Sequence, residues 1–382
     1  MPQEPISHWI DTPDALDAVC DELADVRWLA VDTEFFRESS FYPVAALIQL
    51  SAGEHAYLVD PQALAATPAV CRLLGPEGPV KLLHASSEDL EVLFNWSGVV
   101  VQPLIDTQLA QGLLSEDPAI GYQRLVEHWT GDSLPKGETR SDWLVRPLSE
   151  AQRRYAALDV IYLPTLWEAQ RQALLELERL SWLEADCAAL VAQAQRSLDS
   201  DGEWFRRHRQ LWRLSPRSIA AYRRLTAWRE AEVRSRNLPR NWLVSDKVLF
   251  AVAERMPANR YELAAVEDIK PSLVKREGDA LLALVREAAQ LDEAELPPTL
   301  PSPLSDPFKK RLKRLKRCVG ETAERLGVAP EVLARRRELE ALVAADLEGR
   351  ALPLPEGWRG ELLAEPLRQA LDGAAADARG PV

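Results

Sequence analysis

Asp32 and Glu34 stand two residues apart in "RWLAVDTEFF", where an apolar run that reads as a buried strand meets two carboxylates. Side chains at i and i+2 on a strand share a face, so the two point the same way. Burying one ionised carboxylate is costly, and burying two side by side more so, unless a cation or a donor compensates. Tyr155 and Asp159, in "RRYAALDVIYL", are i and i+4 in a helical pattern and also share a face. Asp89 falls near the start of the helix that follows the strand "VKLLHA". Clustered carboxylates near neutral pH repel one another unless divalent cations bridge them. Four of them suffice to hold two hard cations roughly 3.5–4 Å apart, the arrangement that activates a water and stabilises the leaving oxygen in phosphodiester cleavage. Tyr155, with an ordinary pKa of about 10, suits orienting that water better than deprotonating it.

Each piece is weak alone. A helical Y-x-x-x-D is usually packing, and a first-turn Asp is usually an acid favoured by the helix dipole. Specificity lies in the order: strand D-x-E, then a post-strand Asp, then a helical Y-x-x-x-D near the end of the α/β region.

The elements that must position these residues are legible in outline. "WLAVDTEF", "AALIQLS" and "HAYLVD" read as strands joined by the short polar links "RESSFYP" and "AGE", which suits antiparallel neighbours. Helix "PQALAATPAVCRLLG", strand "VKLLHA", helix "SSEDLEVLFNWSG", strand "VVVQPLID" and helix "TQLAQGLL" follow, an α/β alternation around a mixed sheet. A Gly- and Pro-containing loop, residues 130–148, precedes one long helix with Ser149 as N-cap and its end near Leu180. After Asp199 only short helical patterns appear, interrupted by the Pro-rich "LPPTLPSPLSDP" at 296–307. The expected domains are 1–203 (α/β), 204–295 (all-α), a linker at 296–307, 308–375 (all-α) and a mobile tail at 376–382.

Composition bounds the function classes. The 382 residues carry a net charge of -13, but unevenly. Residues 1–180 hold 12 Lys and Arg against 28 Asp and Glu, whereas the remainder holds 34 against 31. That asymmetry suits cations held in one half and a polyanion in the other. No apolar run approaches a membrane span. Four scattered cysteines form no C-x-x-C pair, and "MPQEPISHWIDTPD" lacks a signal-peptide design, so a reducing cytoplasm is expected, with no disulfide framework and no zinc site.

The motifs "DTEF", "HASSEDLEVL", "IDTQLA" and "GETRSDWLVRPLSEAQRRYAALDVIYL" resemble those of bacterial ribonuclease D, a metal-dependent 3′–5′ exonuclease family with an Asp-Glu-Asp-Asp plus Tyr site. "SPRSIAAYRRLTAWREAEVRSRNLPRNWLVSDKVLFAVA" is similar to an HRDC-type helical domain, and "LPEGWRGELLAEPL" to the second helical domain of the same proteins. The resemblance covers nearly the whole chain. It implies a ribonuclease H-like α/β exonuclease domain followed by two small all-α domains. It places metal ligands at Asp32, Glu34, Asp89 and Asp159 for two Mg²⁺ or Mn²⁺ ions, with Tyr155 orienting the water. It implies release of nucleoside 5′-monophosphates from RNA 3′ ends, transfer RNA precursors included, and nothing points to an obligate protein partner. A 3′–5′ DNA exonuclease is the rival enzyme, and a non-catalytic RNA-binding scaffold the rival of another class.

Related exonucleases end their site on H-x-x-x-x-D, a spacing that His84 and Asp89 also show. That register would make Asp60 the middle ligand, leave too little chain between first and last motifs, and strand Tyr155 and Asp159. Asp106 is expected to cap the helix beginning at Thr107. On the substrate side, Lys136, Arg140 and Arg146 lie just before the catalytic helix, within range of terminal phosphates, although Glu138 and Asp142 are available to hold some of them. The Arg- and Trp-rich stretch 203–247 and the basic "FKKRLKRLKR" at 308–317 offer further phosphate contacts, against the reading that their aromatics are core and their arginines a solvated face.

Overall fold

The computed structural model describes residues 4–135, 137–138, 141–199 and 204–378. The first half runs β1 (Ile6–Ile10), α1 (Pro13–Leu23), β2 (Trp28–Phe36), β3 (Val44–Ser51), β4 (His55–Val59), α2 (Pro68–Leu74), β5 (Val80–Leu83), α3 (Ser87–Ser97), β6 (Leu104–Asp106), α4 (Thr107–Gly112), α5 (Tyr122–Thr130), α6 (Glu150–Ile161), α7 (Leu163–Glu176) and α8 (Leu180–Asp199). Its six strands form one sheet in the order β1-β4-β3-β2-β5-β6. β2, β3 and β4 are antiparallel neighbours, as their short links require, while β1 joins β4 and β5 joins both β2 and β6 in parallel. β2 is therefore interior, and α6 packs across β1 to β4.

α6 starts where the sequence places it. Ser149 Oγ accepts from the Gln152 N–H, and the Gln152 side chain returns to the Ser149 N–H, a reciprocal capping box. The single long helix expected from 150 to 180 is instead two, α6 and α7, with α8 beginning at Leu180. Pro164 has no N–H to continue the ladder, so α6 ends at Ile161 and α7 restarts with this proline in its first turn. Two other expectations shrink for related reasons. Thr67 caps a helix that begins only at Pro68, so the expected helix from Pro61 is confined to α2. Strand "VVVQPLID" is reduced to Leu104–Asp106, because Pro103 offers no ladder donor.

The second half contains no strand among the described residues. α9 (Pro216–Arg236), α10 (Arg240–Leu243), α11 (Asp246–Arg255), α12 (Arg260–Ala264) and α13 (Pro271–Ala289) make one unit. α14 (Asp306–Leu326), α15 (Pro330–Leu333), α16 (Arg336–Leu347) and α17 (Gly357–Ala378) make another. The expected tail at 376–382 is partly helix, since α17 continues through the Ala-rich "GAAADA" to Ala378.

The two helical units sit differently. The first has its own core, to which Phe41 of the β2–β3 link contributes. The second shares a continuous core with the α/β half. Trp358 stacks on Trp182 of α8 at 4.5 Å, Arg359 pairs with Asp186, and Arg179 donates to the Leu326 carbonyl. The Pro-rich segment lies between them, with Leu296 and Leu300 packed against the first unit. No described helix is long and apolar enough to cross a membrane.

Candidate active site

β2 and α6 bring Asp32, Glu34 and Asp159 together, with one carboxylate oxygen from each lying within 4.8 Å of the others. Asp89 enters from the first turn of α3 and is buried; it accepts from Thr33 Oγ1 at 2.5 Å. Thr33 lies between Asp32 and Glu34 on β2, so this hydrogen bond ties α3 to the strand that carries the pair. Tyr155 lies one turn before Asp159 on α6, and its hydroxyl donates to the Asp159 carboxylate.

The electrostatics are those of a site that suits a cation. Burial, then the charges of Asp89, Asp159 and Glu34, hold the Asp32 carboxyl well above the usual carboxylate range. Burial followed by Asp159 and Asp89 raises Glu34 to about 8. Asp159 is pushed up to about 7 by burial, against the Tyr155 hydrogen bond, and Asp89 to about 6 by burial, against the Thr33 hydrogen bond. Burial and the neighbouring carboxylates Asp159, Glu34 and Asp32 also push the Tyr155 hydroxyl up, so it stays protonated. Among the described residues no Lys or Arg pairs with any of the four carboxylates. Three convergent carboxylates, with Asp89 close enough for its charge to act on Asp32 and Glu34, are all penalised in their charged forms and fit a hard divalent ion that would supply positive charge.

Four further residues support the site without having been singled out in the sequence. Gln49 on β3 stands directly opposite Asp32 in the antiparallel register and is fully buried, yet both polar atoms of its carboxamide lack a hydrogen-bond partner among the described residues. An orphaned amide beside the acids is a further sign of a site built around something polar. Tyr122 donates to the Leu158 carbonyl, and burial, then the charges of Asp159 and Asp32, raise its pKa. Trp143 lies 6.0 Å from the Tyr155 ring, and a Cβ on Gly137 would fall 2.5 Å from Tyr155 Cδ2. Gly137 thus lets the loop backbone lie on the Tyr155 ring. Glycine is common in loops, and nothing in "KGETR" itself signals this close approach.

The other predicted residues separate cleanly. Lys136 and Arg140 lie outside the described residues. Arg146 is not available to substrate. It makes two bonds of 2.8 Å to Asp60 and donates to the Ala46, Trp143 and Val145 carbonyls, which lashes the loop to the sheet. Its partner is Asp60, not Glu138 or Asp142, because Asp60 ends β4 where the loop crosses. This also removes Asp60 from the rival register. His84 is 3.0 Å from Thr107 Oγ1 and 3.1 Å from the Ile120 carbonyl, a structural position. Asp106 caps α4 through the Gln108 and Leu109 N–H groups and also accepts from Ala85 and Ser86. In the Arg-rich stretch, Arg229 is buried against Glu230 and Asp246, and Arg213, Arg224, Arg236 and Arg240 are paired with acids. Tyr222 is core, whereas Trp242 is 57% exposed.

Residues 7–174 match the family model of a 3′–5′ exonuclease, residues 218–285 that of the HRDC domain, and residues 307–367 that of the C-terminal HRDC domain of ribonuclease D. Fold and site define a metal-dependent 3′–5′ exonuclease with two helical domains appended. The chain is 41% identical over 373 residues to ribonuclease D of Pseudomonas paraeruginosa, covering 97% of this chain and 99% of the relative. It is 36% identical to ribonuclease D of Escherichia coli over 95% and 97% of the two chains. The crystal structure of Escherichia coli RNase D, an exoribonuclease involved in structured RNA processing, superimposes with a TM-score of 0.86 at 33% identity over 96% of this chain and 99% of that one. The chain belongs to the ribonuclease D family, and it is a 3′–5′ exoribonuclease.

Proposed function

We propose that Asp32, Glu34, Asp89 and Asp159 hold two Mg²⁺ or Mn²⁺ ions during removal of nucleoside 5′-monophosphates from RNA 3′ ends. The observation that carries this is the convergence of Asp32, Glu34 and Asp159 oxygens within 4.8 Å, with buried Asp89 beside them. Asp32, Glu34 and Asp159 would hold the metal, with Asp89 close enough for its charge to reach Asp32 and Glu34. Bound there, the ions lower the pKa of the attacking water and neutralise charge on the leaving 3′ oxygen. Tyr155 keeps its proton, and with its hydroxyl fixed by Asp159 it orients the water by hydrogen bonding.

Transfer RNA precursors fit as substrates, being structured RNAs with a single-stranded 3′ end. Phosphate contacts are assigned to Lys136 and Arg140 and to the exposed face of α14, where Lys309, Lys310, Lys313, Lys316 and Arg317 face solvent above buried Phe308 and Leu315. The four free cysteines suit a reducing cytoplasm. The domain limits proposed are 1–203, 204–295 and 308–375.

Matched RNA and DNA oligonucleotides incubated with Mg²⁺, with products resolved by chromatography, test the reading. It expects nucleoside 5′-monophosphates from the RNA 3′ end and none after chelation. Equal release from DNA would contradict the ribose preference, and no release from either would leave only an RNA-binding scaffold.

A further inference from the structure

The link between β2 and β3, residues 37–43, is not a simple turn. Phe41 is 4% exposed and sits in the core of the first helical unit, although it belongs to the nuclease domain. The guanidinium groups of Arg234 and Arg240 each lie 4.8 Å from its ring, and Arg240 also stacks 3.8 Å from Trp204 while bonding Glu230. The Asn237 side-chain oxygen accepts from both the Phe41 and Tyr42 N–H groups, at 3.0 and 3.1 Å. Asn237 occupies the left-handed C-cap of α9 (φ 49°), so its backbone is fixed as well.

The other end of the link reaches the acids. Arg37, three residues after Glu34, makes a bidentate pair with Glu91 at 2.7 and 2.9 Å, and its second nitrogen donates to the Phe41 carbonyl at 3.1 Å. Glu91 is two residues beyond Asp89 on α3. One guanidinium thus joins the strand carrying Asp32 and Glu34, the helix carrying Asp89, and the segment plugged into the helical domain.

We propose that the first helical domain acts on the chemistry itself: Phe41 and Asn237 form a latch, and Arg37 is the positioning residue that converts docking of this domain into a fixed spacing between Glu34 and Asp89. This role is separate from any RNA contact the domain makes, and it rests on the assignment of the four carboxylates as the catalytic set. Released from Asn237, the link frees Arg37 and lets β2 and α3 drift. A displacement of about 1 Å at a reacting centre costs on the order of a hundredfold in rate.

The test uses the full chain and a trinucleotide RNA, too short to span the domains. Asn237→Gly suits it, because glycine keeps the left-handed backbone and removes only the acceptor. The expected result is a kcat lower by roughly tenfold to a hundredfold, an unchanged KM for the trinucleotide, and a raised Mg²⁺ half-saturation. Asn237→Asp, which keeps an acceptor oxygen, retains the wild-type values. Arg37→Gln loses a similar factor, and combining it with Asn237→Gly adds little, since both break one chain of contacts. A wild-type rate and Mg²⁺ dependence for Asn237→Gly, or independent multiplying losses in the double variant, would overturn the latch. Asp32→Asn run alongside separates the two ideas. If it is inactive while Asn237→Gly is normal, the latch alone fails; if Asp32→Asn is itself active, the carboxylate assignment fails.

Discussion

The Tyr155 hydroxyl donates to the Asp159 carboxylate one helical turn away, so the two residues occupy one face of α6, and the proposed function gives them different work. Tyr155→Phe keeps the ring against Trp143 and Gly137 and removes only the hydroxyl. Its expected effect falls on kcat, about a hundredfold, with KM and metal affinity little changed. Asp159→Asn removes a charged donor and raises the metal half-saturation. Metal titration of both variants alongside single-turnover rates checks this. Wild-type turnover in Tyr155→Phe would make the tyrosine a packing residue.

The raised carboxylates predict how pH acts on the metal-free protein. Unfolded Asp and Glu titrate near pH 4, whereas folded Asp89, Asp159 and Glu34 titrate at about 6, 7 and 8. Between these limits the folded chain holds protons that the unfolded chain has released. Stability of the metal-free protein therefore falls as pH rises from about 4 to about 8, and Mg²⁺ offsets the loss. Thermal melts in chelator and in Mg²⁺ at about pH 5.5 and about pH 8 measure it, with Glu34→Gln as the reference that lacks one titrating group. A gap between the wild type and Glu34→Gln that does not change with pH in chelator would contradict the prediction.

Gln49 carries a stability cost that the chemistry justifies. A buried amide without partners costs about 1–3 kcal/mol. Gln49→Leu is expected to raise Tm and to slow turnover, because the amide stands opposite Asp32 in the sheet register. Higher stability with unchanged turnover would show that the amide has no part in the site.

The shared core predicts that the second helical domain cannot be removed freely. Trp358→Ala, which deletes the ring stacked on Trp182, is expected to cost about 3–5 kcal/mol and to lower the melting temperature of the nuclease domain itself. A chain ending at Asp199 exposes the same surface and should lose stability and aggregate. A truncated nuclease with the parent's Tm would show the two cores to be independent.

Much of this was legible in the sequence, and the limits have physical causes. Period-2 and i,i+4 patterns are local, so Asp32 with Glu34, and Tyr155 with Asp159, were readable as same-face pairs. Ser149 and Asp106 were readable as caps because capping chemistry acts over three residues. What failed depends on distant partners. Arg146 looks like a phosphate ligand beside Lys136 and Arg140, but its partner Asp60 is far off in the chain. Phe41 looks like a turn residue, and only the folded chain brings α9 to it. Gln49 is one more polar residue in a strand until the register with β2 sets it opposite Asp32.

Asp32 feels the charges of all three other carboxylates, and its replacement by asparagine changes one atom type without changing shape. Single-turnover hydrolysis of a 3′-labelled RNA by Asp32→Asn at saturating Mg²⁺ is therefore the most direct measurement. A neutral amide cannot replace a bridging carboxylate, and the expected rate is lower by several decades with RNA binding retained. Hydrolysis at a near-normal rate would contradict the assignment of the acidic cluster as the catalytic metal site.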